Sequence, residues 1–130
     1  MRTRTVLPPE KAVIGFSGAP WTLACYMLDP KPAQGVSHTI ELARNYPQAF
    51  QQLLDILVEA ITDYLLMQAG AGADALQLFD SWAGLCPPDL WEQAVHSPLL
   101  AIAQRVQQAL PVPIIHFPRG ATPEQLLNLA

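Results

Sequence analysis

Charged residues are scarce in this sequence: Asp, Glu, Lys and Arg make up 14% of its 130 residues, against about 25% in an average soluble domain. Only seven residues are Lys or Arg and the net charge is −4, so no basic stripe can neutralise phosphates, and a nucleic-acid partner is disfavoured. No apolar run reaches the roughly 18 residues of a membrane span, and none near the N-terminus suits a signal peptide. We therefore expect a cytoplasmic protein without a membrane partner.

Cysteine and the common catalytic motifs are also scarce. Two cysteines, Cys25 and Cys86, cannot form a disulfide framework, and their apolar neighbours predict buried, reduced thiols. The three histidines are far apart, with no carboxylate spaced to join them as metal ligands. The glycine-rich stretches fit neither a dinucleotide fingerprint nor a Walker A loop, and neither GxSxG nor HExxH occurs.

Short apolar runs alternate with helical patterns along the chain. Three runs predict buried strands near residues 12–17, 75–80 and 112–117. Between them, an apolar stripe at helical spacing predicts a long helix from about Pro47 to Gln68. Four other helices are expected near residues 21–28, from Ser37, from 87 to 110 and after Thr122. Pro98 should kink or break the helix from 87 to 110, and Ser37, Asn45 and Thr122 are expected to cap helices.

The resulting order, β-α-α-α-β-α-β-α, indicates an α/β protein. Strands that are apolar throughout favour a parallel sheet covered on both faces, with its strands side by side in chain order. A complete (β/α)8 barrel needs about 250 residues. The expectation is therefore a partial (β/α)8 TIM barrel of about three parallel βα units.

Polar side chains collect where the three strands are expected to end. They are Tyr26 in the first βα loop region, Phe79-Asp80-Ser81 after the second strand, and His116 with Arg119 at the third. Such a cluster suits an anionic ligand. Spacing alone leaves Asp80 and Ser81 equally suited to capping a loop, and it favours core packing for Tyr26. Asp74, at the opposite end of its strand, is expected to serve structure.

Two long motifs resemble the uroporphyrinogen decarboxylase family. They are IGFSGAPWTL at 14–23, followed by Tyr26 and Met27, and AGADALQLFDSWAG at 71–84. The resemblance implies a lyase of haem biosynthesis that converts the four acetate arms of uroporphyrinogen III to methyls, giving coproporphyrinogen III. It implies no metal and no organic cofactor, since the protonated pyrrole ring accepts the electrons. It further implies that Tyr26 assists catalysis and that Phe79, Asp80 and Ser81 line the tetrapyrrole cleft.

Several family features have no counterpart in these 130 residues: the N-terminal arginine motif, the strand-end aspartate and the late histidine. Residues 1–130 thus resemble the central part of one barrel domain, and this fragment alone is expected to be inactive. It is expected to form a homo-oligomer or to bind a complementing chain segment. Two alternatives are a corrinoid methyltransferase relative, although Pro118 stands where its zinc-binding thiolate would be, and a non-catalytic truncated module that needs a partner.

Overall fold

The fold of the chain was obtained as a computed structural model, which describes residues 2–130. Its helices and strands are α1 (Arg2–Val6), β1 (Ile14–Gly18), α2 (Pro20–Leu28), α3 (Ser37–Asn45), α4 (Pro47–Gly70), β2 (Ala75–Asp80), α5 (Pro88–Trp91), α6 (Ser97–Ala109), β3 (Ile114–Pro118) and α7 (Pro123–Leu129). Short 3₁₀ turns occupy Pro32–Gln34 and Ala83–Leu85, and a π-helical segment, Glu92–His96, joins α5 to α6.

The three strands form one parallel sheet in the order β1-β2-β3. Ile14 of β1 is aligned with Ala75 of β2, and Leu76 of β2 is aligned with Ile114 of β3. This arrangement confirms the predicted α/β class, the parallel pairing and the chain order of the strands. It matches three consecutive units of a (β/α)8 barrel.

Helices cover one face of the sheet. Leu76 and Leu78 of β2 point to that face and are fully buried, together with Phe50 and Leu54 of the long helix α4. The predicted α4 stripe is therefore confirmed, and the edge of the Phe50 ring meets the indole of Trp21 at a centroid distance of 6.3 Å. The resulting core lies between the sheet and the α2, α4 and α6 layer.

The opposite face of the sheet is open within residues 2–130. The apolar strands alone favoured a sheet covered on both faces, whereas three strands of a barrel are expected to leave their inner face uncovered, and the structure agrees with the second expectation. Phe16 is 59% exposed, and Ile14, Ile115 and Phe117 on the same face are also exposed. Within residues 2–130, no helix packs over these side chains. The strands look apolar throughout because both faces carry apolar side chains, although the described chain covers only one of them.

The outer edge of β1 is occupied by a side chain. Gln68 Nε2 donates to the carbonyl of Phe16 at 2.9 Å, while the Phe16 amide donates to Gln68 Oε1 at 2.9 Å. A Cβ on Gly15 would lie 2.7 Å from Gln68 Oε1, so only glycine leaves room for this contact. The Gln68 amide thus covers part of the edge to which another strand could pair.

Helix starts differ from the sequence predictions in two places. Ser37 does not cap α3. Instead the carboxylate of Asp29 accepts hydrogen bonds from the amides of His38 and Thr39 at 3.0 and 3.1 Å. Asn45 is the last residue of α3 and does not cap α4, whose first residue is Pro47. Thr122 does cap α7, because its hydroxyl accepts from the amide of Gln125.

Pro98 does not end its helix. It occupies the first turn of α6, directly after the π-helical segment, where the Ser97 amide bonds to the carbonyl of Glu92 five residues back. Proline has no backbone N–H to donate, and its ring crowds the carbonyl four residues before it. The wider π turn accommodates both the missing donor and the crowded carbonyl. The irregularity therefore lies in the turn that precedes the proline.

The amino end of the sheet is fastened by Asp74. Its carboxylate forms an ion pair with Arg4 of α1 and accepts a hydrogen bond from the Val13 amide at 2.7 Å. The amide of Val13 is the largest cause that lowers the pKa of Asp74. The structural role expected for Asp74 is confirmed, whereas α1 itself was not predicted.

None of the described helices combines the length and the apolar character that crossing a bilayer would require.

Candidate functional site

The three βα loops meet at the carboxyl edge of the sheet. The Ala19 amide donates to the carbonyl of Phe79 at 2.9 Å, and the Arg119 amide donates to the carbonyl of Asp80 at 3.1 Å. The Gly84 amide in turn donates to the Arg119 carbonyl at 2.8 Å. Because all three strands are parallel, their carboxyl ends share this edge, where α/β proteins usually place their ligand sites.

Two glycines let the second and third loops touch. A Cβ on Gly120 would lie 2.9 Å from the Cα of Gly84, and Gly120 has a φ of +82°. Both facts exclude a larger residue at position 120 without strain. The loops after β2 and β3 are therefore held in backbone contact.

Asp80 lies beneath this edge, on the helix side of the sheet. It is 0% exposed, and its Oδ1 accepts a hydrogen bond from the Thr22 hydroxyl at 2.6 Å. The same hydroxyl accepts from the amide of Trp82 at 3.1 Å, and the carbonyl of Trp82 accepts from Trp21 Nε1 at 2.8 Å. Thr22 and Trp21 thus connect α2 to the loop after β2.

The buried carboxyl of Asp80 is a weaker acid than usual. Burial raises its pKa from 3.8 to about 6, against the opposing effect of hydrogen bonds from Thr22. Its Oδ2 accepts no hydrogen bond from any residue in the described part of the chain. Burial also raises the pKa of the Cys25 and Cys86 thiols to about 12. Both cysteines are free and buried, as predicted, and their high pKa values make them poor nucleophiles.

Tyr26, Phe79 and Ser81 are more accessible than Asp80. Tyr26 is 57% exposed on α2, and its ring packs against the Trp82 indole with centroids 6.0 Å apart. Ser81 is half-buried and lines a hollow of about 470 Å³ with Trp82 and Arg119. Phe79 lies on the open face of the sheet.

An aromatic row crosses that open face. The Phe79 ring makes edge-on contacts with Phe16 of β1 and Phe117 of β3, at centroid distances of 5.8 and 6.0 Å. The row ends at the same edge as Ser81, so an apolar surface and a polar rim adjoin each other. This combination suits a flat, apolar ligand that carries anionic substituents.

The structure therefore brings Tyr26 and Ser81 to the neighbourhood of Trp82 and places Phe79 beside them on the open face. Asp80 is adjacent in sequence, but its carboxylate points away from that face, and its contact with a substrate stays a prediction. His116, aligned with buried Leu78 on the helix side, has a pKa lowered by burial and by His96. Thr22 and Trp82 were not predicted as linking residues, although both lie inside the two long motifs.

A larger hollow, of about 800 Å³, lies elsewhere, between α4 and the α5–α6 region. Its lining includes Asp55, Glu59, Asp89 and Glu92, with Arg105 as the cation. This acidic surface would repel an anionic ligand, so we assign the candidate site to the strand edge. Across residues 2–130, no three His, Cys, Asp or Glu side chains are grouped as metal ligands.

Comparison with known proteins agrees with the two motifs. The model of the uroporphyrinogen decarboxylase family matches residues 1–130, the whole chain. The chain belongs to the uroporphyrinogen decarboxylase family. Among individual proteins, it is similar to the uroporphyrinogen decarboxylase of Phenylobacterium zucineum, with 49% identity over a 125-residue alignment that covers 92% of this chain and 35% of that protein.

Other relatives give the same result. The uroporphyrinogen decarboxylase of Rhizorhabdus wittichii is 43% identical over 121 aligned residues, which cover 92% of this chain and 35% of that protein. The corresponding protein of Brucella suis is 41% identical over 119 aligned residues, covering 91% and 35%. The chain thus spans about a third of the length of these uroporphyrinogen decarboxylases, and the match favours this family over the corrinoid methyltransferase alternative.

Proposed function

We propose that residues 1–130 supply one side of the substrate cleft of a uroporphyrinogen decarboxylase. The reaction would remove carbon dioxide from the four acetate side chains of uroporphyrinogen III and yield coproporphyrinogen III. The observation that carries the proposal is that Tyr26 and Ser81 lie near Trp82 at the carboxyl edge, with the exposed aromatic row beside them, in a chain of this family.

Each residue has a distinct role in this proposal. Phe79 offers apolar surface to the tetrapyrrole, while Ser81 donates a hydrogen bond to one of its carboxylates. Tyr26 presents its hydroxyl to the pyrrole ring that carries positive charge during decarboxylation, and a preorganised dipole at that point favours the charged state. Arg119, in the same hollow as Ser81, adds a positive charge for a polyanionic substrate.

The rest of the cleft is proposed to come from further strands. The apolar face of the sheet is open. The edge of β3 can pair with another strand, and so can the part of the β1 edge that Gln68 does not cover. We propose that these strands belong to the same polypeptide, to a complementing segment or to a second copy of the chain. The residues described here do not enclose a tetrapyrrole, so we expect no turnover by the chain alone. Two buried thiols suit the reducing cytoplasm, where we place the protein.

The proposal can be tested in a chimera in which this chain replaces the stretch that it matches in the Phenylobacterium zucineum relative. The unaltered relative serves as the positive control, and coproporphyrinogen formation is measured. In an active chimera, Tyr26→Phe should lower kcat by roughly 10- to 100-fold, the effect of one hydrogen bond to a charged group, with a smaller change in KM. Ser81→Ala should act mainly on KM.

Tyr64→Phe is the matched control, because Tyr64 is half-exposed in the last third of α4, away from the strand edge. It should keep the activity of the parent chimera. If Tyr26→Phe and Ser81→Ala also keep it, the proposed cleft is misplaced. An inactive but folded chimera would contradict the proposed function itself.

A further inference from the structure

The hydroxyl group of Thr22 joins helix α2 to the segment at the end of β2. It donates to Asp80 Oδ1 at 2.6 Å and accepts from the Trp82 amide at 3.1 Å. Both Thr22 and Asp80 are buried, with exposures of 2% and 0%. Without water to compete, these hydrogen bonds are directional and costly to break.

Two side chains of α2 form hydrogen bonds with the backbone of Trp82. The amide of Trp82 is held by Thr22, and its carbonyl is held by Trp21 Nε1 at 2.8 Å. The backbone amide and the backbone carbonyl of Trp82 are therefore both hydrogen-bonded to side chains of α2. The residue directly before it is Ser81, so the position of the Ser81 backbone relative to α2 depends on these two hydrogen bonds.

The same helix carries Tyr26. Tyr26 follows Thr22 by four residues, which is about one helical turn, and its ring rests against the Trp82 indole. Asp80, for its part, holds the third loop through its own carbonyl, which accepts from the Arg119 amide at 3.1 Å. The Thr22–Asp80 contact thus lies where α2, which carries Tyr26, is joined to the loops that carry Ser81 and Arg119.

Packing alone does not account for this pair. Valine has nearly the shape of threonine, and an apolar pair would fill the same space without the cost of burying a carboxyl group. A hydroxyl and a carboxyl add direction, because they fix the angle and distance between α2 and the loop after β2. Misplacing a catalytic group by about 1 Å can lower a rate by about 100-fold.

We propose that Thr22 and Asp80 are a positioning pair, which sets Tyr26 relative to Ser81 by holding α2 against the loop after β2. This role does not depend on contact between either side chain and the substrate. The roles of Tyr26 and Ser81 in turnover rest on the proposed function, whereas the geometric coupling between the two loops does not.

The first test is structural and uses the 130-residue chain. Thr22→Val removes the acceptor of the Trp82 amide, so exchange of that amide with solvent should accelerate at least about tenfold. The nuclear Overhauser contacts between the Tyr26 and Trp82 rings should weaken. Thr22→Ser keeps a hydroxyl and should restore both signals. Should Thr22→Val fail to fold, Thr22→Ala takes its place.

Thr62→Val is the matched control. Thr62 is also buried, but its hydroxyl has no hydrogen-bond partner among the described residues, so its loss should leave Trp82 exchange unchanged. If Thr22→Val also leaves the exchange rate and the ring contacts unchanged, the positioning pair is refuted, whatever the activity of the enzyme.

The second test measures turnover in the chimera described above. Thr22→Val should lower kcat about tenfold or more, while Thr22→Ser, which keeps the hydroxyl, should stay within about threefold. The double variant Thr22→Val/Tyr26→Phe should be little slower than Tyr26→Phe alone, because both changes remove the same contribution.

The two tests separate the possible failures. Additive effects of Thr22→Val and Tyr26→Phe on kcat, or a Thr22→Val loss confined to thermal stability, would overturn the positioning role. An inactive parent chimera would instead count against the proposed function, and the amide-exchange experiment would still decide whether Thr22 and Asp80 couple the loops.

Discussion

Replacing Asp80 with asparagine should change how stability depends on pH. The Asp80 carboxyl is fully buried, and burial raises its pKa from 3.8 to about 6. Between these values the native chain keeps the proton that the unfolded chain has lost. The free energy of unfolding that Asp80 contributes is therefore largest below pH 3.8, falls as pH rises through about 6 and levels off above it.

The size of this effect follows from the shift. A difference of roughly two pKa units corresponds to on the order of 3 kcal/mol between the acidic and neutral limits. Asparagine has nearly the same shape, keeps an oxygen for the Thr22 hydroxyl and does not ionise. Asp80→Asn should therefore remove this decline and raise the stability at pH 7 to 8 relative to the parent chain.

Urea denaturation followed by circular dichroism, at half-unit steps from pH 4 to 8, measures both profiles. Protein concentration is held constant, because association would add to stability. Other groups contribute their own slopes. His116, with its lowered pKa, should make stability rise with pH below its ordinary value of 6.5 and level off above it. Subtracting the two profiles isolates the contribution of Asp80.

Asp63→Asn, on the exposed side of α4, is the control and should reproduce the parent profile. If the free energies of unfolding of the parent chain and of Asp80→Asn change with pH in parallel, Asp80 does not titrate as a buried carboxyl group.

Three further outcomes follow from the fold. Gly120→Ala should destabilise the chain by roughly 1–3 kcal/mol, since position 120 needs a positive φ and a Cβ would meet backbone at 2.9 Å. Gly70→Ala, in open helical surroundings, should instead stabilise the chain slightly. Equal effects of the two substitutions in urea denaturation would contradict the contact between the loops. The chain alone should self-associate through its open face and strand edges, and a monodisperse monomer at high concentration in sedimentation velocity would argue against this. Gln68→Ala should strengthen that association by freeing the backbone of Phe16; unchanged sedimentation would show that the β1 edge is not used.

The regular parts of the fold were predictable because their signals are local. Three apolar runs bounded by glycine, proline and aspartate gave the strands, and the stripe from Phe50 to Leu65 gave α4. The crossover rule then fixed the parallel order of the strands.

Features that depend on distant contacts were not predictable in this way. Ser37 is a good capping residue by type, but Asp29, eight residues earlier, caps α3 in its place. The role of Thr22 depends on Asp80, which lies 58 residues away. The apolar strand pattern alone favoured cover on both faces, because it does not reveal what covers a strand. Only the expectation of three barrel strands indicated that the inner face would be open.

The candidate site was predicted in part for the same reason. Strand ends located Tyr26 and Ser81 near one edge, and the resemblance to a family supplied their roles. Neither source indicated that the Asp80 carboxylate points to the helix side, since alternation along β2 decides this only after the covered face is known.

The central claim is that this chain carries a working side of a uroporphyrinogen decarboxylase cleft. Coproporphyrinogen formation by the Phenylobacterium zucineum chimera, measured beside the 130-residue chain and the unaltered relative, tests it most directly. We predict turnover by the chimera within about tenfold of the relative and none by the chain alone above a protein-free blank. A folded chimera that forms no coproporphyrinogen would contradict the claim.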